Sequence, residues 1–200
     1  MDVYDGNERM SRMNDNNYFR RVAMMKRLAV GAALLAFFAF PCFDRELSYA
    51  APDLPSAHVH QVHDGDTITL RLKGKKYRAR LIGIDAPEIG QRPWGRRAKE
   101  HLIQIMRRTD WTVYVETDVE RIDKYGRLLI YIWTKKHAFI NEKMISDGYA
   151  VTFTTAPNIR YADRFANAEK RARQKNKGIW GPEGSQESPL EWRKMHPRKN

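Results

Sequence analysis

The chain has 200 residues, 42% of them hydrophobic and 30% charged, enough apolar material for one packed domain and too much for an intrinsically disordered chain. Its formal net charge is +12, and residues 1–50 hold seven Lys/Arg against six Asp/Glu, so nearly all of the excess lies in the part expected to fold and favours a polyanionic partner. The single cysteine, Cys42, excludes an intramolecular disulfide.

Leu28 to Phe40 reads LAVGAALLAFFAF, thirteen uncharged residues preceded by Lys26-Arg27. A membrane span takes roughly 20 apolar residues, so the run has the length of a signal-peptide core instead. Pro41 ends it, and Ser48-Tyr49-Ala50 supplies small residues ahead of a cleavage point before Ala51. Residues 1–50 are therefore expected to be a signal peptide, or, if uncleaved, a single N-terminal membrane anchor. A start at Met24 or Met25 would give a leader of ordinary length. The mature domain would then be cysteine-free and secreted or periplasmic; an uncleaved leader would tether it outside the cytoplasm. Residues 51–57 form a Pro-containing linker, 58–181 the folded domain, and 182–200 a polar tail.

Within the domain, His58–His63 and Thr67–Lys73 run β-branched around Asp64-Gly65 and predict two strands joined as a hairpin. After the Lys73–Lys76 turn a third strand is expected over Tyr77–Ile84, stopped at Asp85-Ala86-Pro87 because proline cannot continue a central strand. A helix follows over about Arg96–Arg108, with Ala98, Leu102, Ile105 and Met106 at helical spacing. Trp111–Glu116 and Arg127–Trp133 read as the fourth and fifth strands. A second helix is expected over Ile140–Asp147 and a third from about Pro157, burying Tyr161, Phe165, Ala168 and Ala172 on one face. Gly178-Ile179-Trp180 ends it and is expected to tuck an indole under the core. Pro189–Arg193 reads as a short packed turn. Five short strands with helices after the third and the fifth predict a five-stranded Greek-key barrel of the OB type, mainly β, with three helices.

The chemistry concentrates in three turn-bounded segments: Asp64-Gly65-Asp66-Thr67, Arg80 through Glu88 (RLIGIDAPE), and Asp123-Lys124-Tyr125-Gly126-Arg127. Asp66 and Asp85 lie at strand–turn boundaries, where side chains can converge at a barrel rim. Carboxylates of this kind suit a hard cation such as Ca²⁺, and the absence of accompanying His or Cys argues against zinc. Asp64 reads as a turn-former and Arg78 as a solvated surface residue. Arg80 and Arg127 can grip a phosphate in a two-pronged fork and stabilise charge that builds up in a five-coordinate transition state. Glu88, three residues past Asp85, can orient or deprotonate a water for attack on phosphorus. Together these groups suit a phosphodiester bridged by a metal ion, which points to a nuclease.

These three segments, in this order and at this spacing, resemble the thermonuclease family, the staphylococcal-nuclease-like domains, over about residues 57–181. The resemblance implies an OB barrel with three helices and Ca²⁺-dependent hydrolysis of DNA and RNA, with little sequence specificity and 3′-phosphorylated products. It assigns Asp66 and Asp85 to calcium, together with the backbone carbonyl of Ala86, where the best-known member has threonine. It assigns Glu88 to the general base and Arg80 and Arg127 to phosphate. Lys124 and Tyr125 match positions that contact nucleotide or serve only as turn residues. Residues 148–155 lack the paired tyrosines of that member, and Phe153 is the candidate to replace their stacking on a base. The loop 90–95 is expected to wall the substrate groove. A monomer is expected. The alternative is a catalytically inactive nucleic-acid-binding OB module, against which stands the retention of all five polar positions, since unneeded carboxylates would repel phosphate.

Overall fold

A computed structural model of the chain describes residues 53–185 and 187–197. The leader, Cys42, and Met24 and Met25 lie outside the described residues. Among the described residues no helix is long and apolar enough to cross a membrane.

Strand β1 (Ser56–Val62) turns inward Ala57 and Val59 with the period of two of a half-buried strand, and Val62 once an irregularity has added one residue to the spacing. It pairs antiparallel with β2 (Thr67–Leu72), with a register shift between Val59 and Gln61. The connection to β3 (Lys75–Leu81) is the two-residue turn Lys73-Gly74, both at positive φ (48° and 79°), the handedness that suits twisted antiparallel strands. Strand β4 (Gly83–Asp85) comes next, then helix α1 (Trp94–Arg108), β5 (Thr112–Glu116) and β6 (Leu128–Trp133). The barrel closes in the order β1-β2-β3-β6-β5, with β3 and β6 parallel. Its interior is filled by Val59, Ile68, Leu70, Ala79, Leu81, Val113, Ile130 and Ile132. The five-stranded OB-type barrel expected from the sequence is present.

The expected third strand breaks before its end. Gly83 adopts φ +78°, and a Cβ there would sit 2.2 Å from Cε2 of Phe165. Only glycine meets both demands, a left-handed backbone and a ring packed against it. The chain leaves the barrel at this point, and β4 pairs antiparallel with β7 (Val151–Phe153), so that Asp85 faces Val151 across a two-stranded sheet. The break is fixed from both sides. Ile82 donates its amide to the Ile130 carbonyl at 2.9 Å, and the fully buried Asn141 donates to the Ile82 carbonyl at 2.9 Å while accepting from the Ile132 amide at 3.0 Å.

Asn141 belongs to helix α2 (Ile140–Ser146), which packs on α3 (Ala162–Gln174). Helix α3 begins five residues later than expected. The Asn158 side chain pairs with both the amide and the carbonyl of Glu120 (2.8 and 2.9 Å), and Thr155 bridges Asn158, which holds the stretch after Pro157 in a turn. Phe165, Ala168 and Ala172 are buried as the spacing predicts, and Tyr161 is half-buried. In the 3₁₀ turn Gly178–Trp180 the buried residue is Ile179. Trp180 is half-buried, its indole nitrogen out of solvent and the Arg173 guanidinium 3.6 Å from its ring centre, so the expected indole is tucked in at one edge only. A fourth helix, α4 (Pro189–Met195), stands where a short turn was expected.

Replacing Asn141 by alanine leaves the Ile82 carbonyl and the Ile132 amide buried without their partner. The expected loss is about 2–4 kcal/mol in urea unfolding, the cost of two orphaned buried groups. A change under about 0.5 kcal/mol would remove Asn141 from this positioning role.

Candidate active site

The site begins with a turn. The Asp64 carboxylate accepts the Asp66 amide at 3.0 Å, the turn-forming part expected of it, and this aims Asp66 inward. Gly65 makes the turn possible, since a Cβ there would come 2.5 Å from the Ala86 methyl and 2.8 Å from that of Ala98. Asp66 is 7% exposed. One of its oxygens accepts the Thr67 hydroxyl at 3.0 Å; the other accepts the Ala86 amide at 2.7 Å. Ala86, assigned for its carbonyl, is thus bound through its N–H to the first carboxylate.

Arg80 joins the two carboxylates. Its Nη2 lies 3.2 Å from Asp66 Oδ2 and 3.2 Å from Asp85 Oδ1, and Nη1 donates to the Leu81 carbonyl at 2.9 Å. Because a single nitrogen touches both, the two carboxylate oxygens can be no farther apart than twice that distance. Asp85, only 2% exposed, is delivered by β4 after the Gly83 break. Burial, the largest influence on Asp66, pushes its carboxyl up to about 6, against the opposing pull of the Arg80 charge and the Ala86 amide.

Glu88 follows the buried Ala86-Pro87 pair and remains partly open to solvent. It meets a residue that sequence reasoning did not single out. Arg193, on α4, donates from Nη2 to Asp85 Oδ2 at 2.7 Å and from Nη1 to both Asp85 Oδ1 and Glu88 Oε1 at 3.1 Å. The hydrogen bonds to Asp85, and then the charges of Asp85 and Glu88, push its guanidinium pKa further up, so the fork stays charged. A signal for α4 does exist in the sequence. Ser188-Pro189-Leu190-Glu191 is a capping box with proline at the first helical position, and both reciprocal bonds form, Ser188 to Glu191 at 2.9 Å and back at 3.2 Å.

Asp66, Arg80, Asp85, Glu88 and Arg193 therefore form one connected cluster. Arg127 stands apart in its bonding. It directly precedes β6, and strand alternation places it on the same face as Leu129, the residue paired with Arg80. Its fork is engaged by Asp123, at 2.7 Å from both Nε and Nη2. Asp123 also accepts the amides of Tyr125 and Arg127 at 2.9 Å, so it organises the whole turn. Tyr125 is 71% exposed, with Lys124 Nζ 5.1 Å and the Arg127 guanidinium 5.5 Å from its ring centre. Phe153 is exposed at the end of β7, opposite Gly83.

Among the described residues no group of three or more His, Cys, Asp or Glu side chains forms a ready-made metal cage. The donor set nonetheless fits a hard divalent cation. Two buried carboxylates converge, all donors are oxygen, and the positive charge they attract is at present supplied by arginine. Such a cation would complete its shell with water and substrate oxygen, as ions of this class do.

A family model described as staphylococcal nuclease homologue matches residues 78–182. A thermonuclease of Staphylococcus intermedius is 34% identical over 173 residues, covering 78% of this chain and 99% of that protein. A thermonuclease of Staphylococcus hyicus is 37% identical over 131 residues, 61% of this chain and 73% of that protein.

The raised Asp66 pKa yields a pH signature. With a folded value near 6 and an ordinary value of 3.8, the folded chain holds an extra proton between those limits. Stability from this group is therefore full below about pH 4 and is lost as pH rises through about 6. In metal-free buffer the stability of Asp66→Asn relative to wild type should be greater at pH 8 than at pH 4, because only the ionised Asp66 carries the cost of a buried charge. Denaturant titrations at the two pH values check this; an equal gap at both would contradict it.

Proposed function

The chain belongs to the family of staphylococcal nuclease homologues and is a nuclease, and from that premise we propose that it is a calcium-dependent endonuclease cleaving DNA and RNA with little sequence specificity. The observation that carries the reading is the Arg80 nitrogen equidistant from Asp66 and Asp85. It makes two buried acids and a phosphate-binding group one unit.

In this reading Asp66, Asp85 and the Ala86 carbonyl hold Ca²⁺. The bound ion would supply Lewis-acid polarisation of the phosphate and lower the pKa of water. Arg80 is anchored at Leu81, which fixes the direction of its fork. Arg80 and Arg127 take the phosphate oxygens, and their charge counts most where negative charge accumulates during attack. For Arg127 this requires exchanging Asp123 for phosphate, a swap of one charge-assisted fork for another. Glu88 orients the attacking water and accepts its proton; its partial exposure gives water access.

Substrate chains are held by stacking and charge without a base code. Tyr125, flanked by Lys124 and Arg127, offers an exposed ring beside two cations, and Phe153 offers a second exposed ring. Contacts of this type read backbone and base plane, which accounts for activity on either sugar. The leader reading of residues 1–50 places this activity outside the cytoplasm, secreted or periplasmic, or tethered to the membrane if the leader is retained.

Hydrolysis of single-stranded DNA and of RNA by the purified protein should require Ca²⁺, stop with chelator and return when calcium is restored. Cleavage unaffected by chelation would overturn the metal reading. Replacing Arg127 by lysine, which keeps the charge but not the fork, should lower kcat by ~10²-fold or more with a smaller change in KM. Equal losses in both would assign Arg127 to ground-state binding alone.

A further inference from the structure

Arg193 stands beyond the 78–182 region matched by the family model, on a helix that reaches back over the site. Four contacts fasten its segment to the loop between β4 and α1 and to the first residue of α1. Gln91 donates to the Ser185 hydroxyl at 2.8 Å and to the Glu187 carbonyl at 2.7 Å. Trp94 donates its indole N–H to the Glu183 carbonyl at 3.1 Å. The Trp192 ring packs against Gly90, where a Cβ would meet it at 2.8 Å, and His196 stacks on the same ring at 4.3 Å. Gln91 and Trp94 are themselves buried, so this is a packed junction.

The outcome of that packing is a guanidinium between two carboxylates. Arg193 touches both oxygens of Asp85, and Arg80 shares one of them. The same fork reaches Glu88. Each Asp85 oxygen is thus already turned toward a cation, and among the described residues Arg193 is the one on Oδ2. A hard divalent ion ligated by Asp85 takes one of those oxygens, and its double charge at close range repels a guanidinium on the same buried carboxylate far more strongly than Arg80 and Arg193 repel one another.

Resting on the reading of Asp66 and Asp85 as the cation ligands, we propose that Arg193 is an internal competitor for the metal seat. Docked, it neutralises Asp85 and Glu88 and keeps the metal-free cluster folded. Cation binding at Asp85 displaces its fork, so ion occupancy and the Arg193–Asp85 contact exclude one another. Arg193 then sets the calcium concentration at which the nuclease switches on, a property built into the C-terminal segment and not into the barrel.

Calcium titration calorimetry on the purified full chain, wild type against Arg193→Gln, tests this directly. Glutamine keeps a similar stem and removes the charge, and the variant should bind Ca²⁺ roughly tenfold more tightly, the weight of one charge-assisted interaction lost as a competitor. Arg193→Lys, with charge but no fork, should fall between. Unchanged or weaker calcium affinity in Arg193→Gln would overturn the competition while leaving the calcium reading intact. No calcium binding in either protein would overturn the calcium reading and the competition with it. A second measurement needs no variant. In wild type, amide hydrogen exchange over residues 189–195 should accelerate several-fold on adding saturating calcium as α4 loses its Arg193 anchor, and exchange that is unchanged or slowed would refute release of that anchor.

Discussion

One buried carboxylate holds the site together. Asp66 comes from the start of β2, yet it is bonded to the backbone of Ala86 and to the side chain of Arg80 on β3. Three chain segments are pinned at one point, and the pin is a charge taken almost wholly out of water. Such burial is costly, and ion pairing in a low-dielectric setting recovers only part of the cost. Burial raises the Asp66 pKa, and the Arg80 charge and the Ala86 amide offset only part of that rise. A site that is poorly satisfied by protein alone is one that gains most from an added cation, and stability is given up where function needs it.

The barrel serves this pin by ending one of its strands early. If β3 ran on to Ile84, alternation would carry Asp85 along the barrel wall. Instead Gly83 turns the chain out, Phe165 closes behind it, and Asn141 fixes the exit by holding Ile82. Asp85 then emerges on a separate two-stranded sheet, with Pro87 and Glu88 following directly. The helices are not decoration in this arrangement. Helix α1 packs so close to the Asp64–Asp66 turn that Gly65 has no room for a side chain against Ala98. Helix α2 supplies Asn141, and helix α4 supplies Arg193.

Much of this was legible in the sequence, and the rest was hidden for physical reasons. The barrel strands carry β-branched, alternating runs, and α1 shows its apolar face through Ala98, Leu102, Ile105 and Met106, all buried. Asp66, Arg80, Asp85 and Glu88 fall in turn-bounded segments where polar residues have no packing reason to be, and the structure brings these four into one cluster. The β4–β7 pair consists of three residues on each side, too short for any period to register. The late start of α3 follows from Asn158 pairing with Glu120, a contact between residues 38 apart that no local pattern encodes. The link from Arg127 to Asp123 spans only four residues, but a guanidinium fork fits carboxylate and phosphate alike, so the sequence does not choose between the two partners. Helix α4 was readable from its capping box, but what Arg193 touches, more than a hundred residues upstream, was not.

The central claim is that Asp66 and Asp85 form one cation seat. A crystal structure of the protein with calcium and a short oligodeoxynucleotide measures it most directly. That structure should show a calcium ion with carboxylate oxygens of both residues at about 2.3–2.6 Å, a phosphate oxygen on the same ion, and Asp85 Oδ2 free of Arg193. Calcium bound elsewhere, with the Arg193 fork still closed on Asp85, would contradict it.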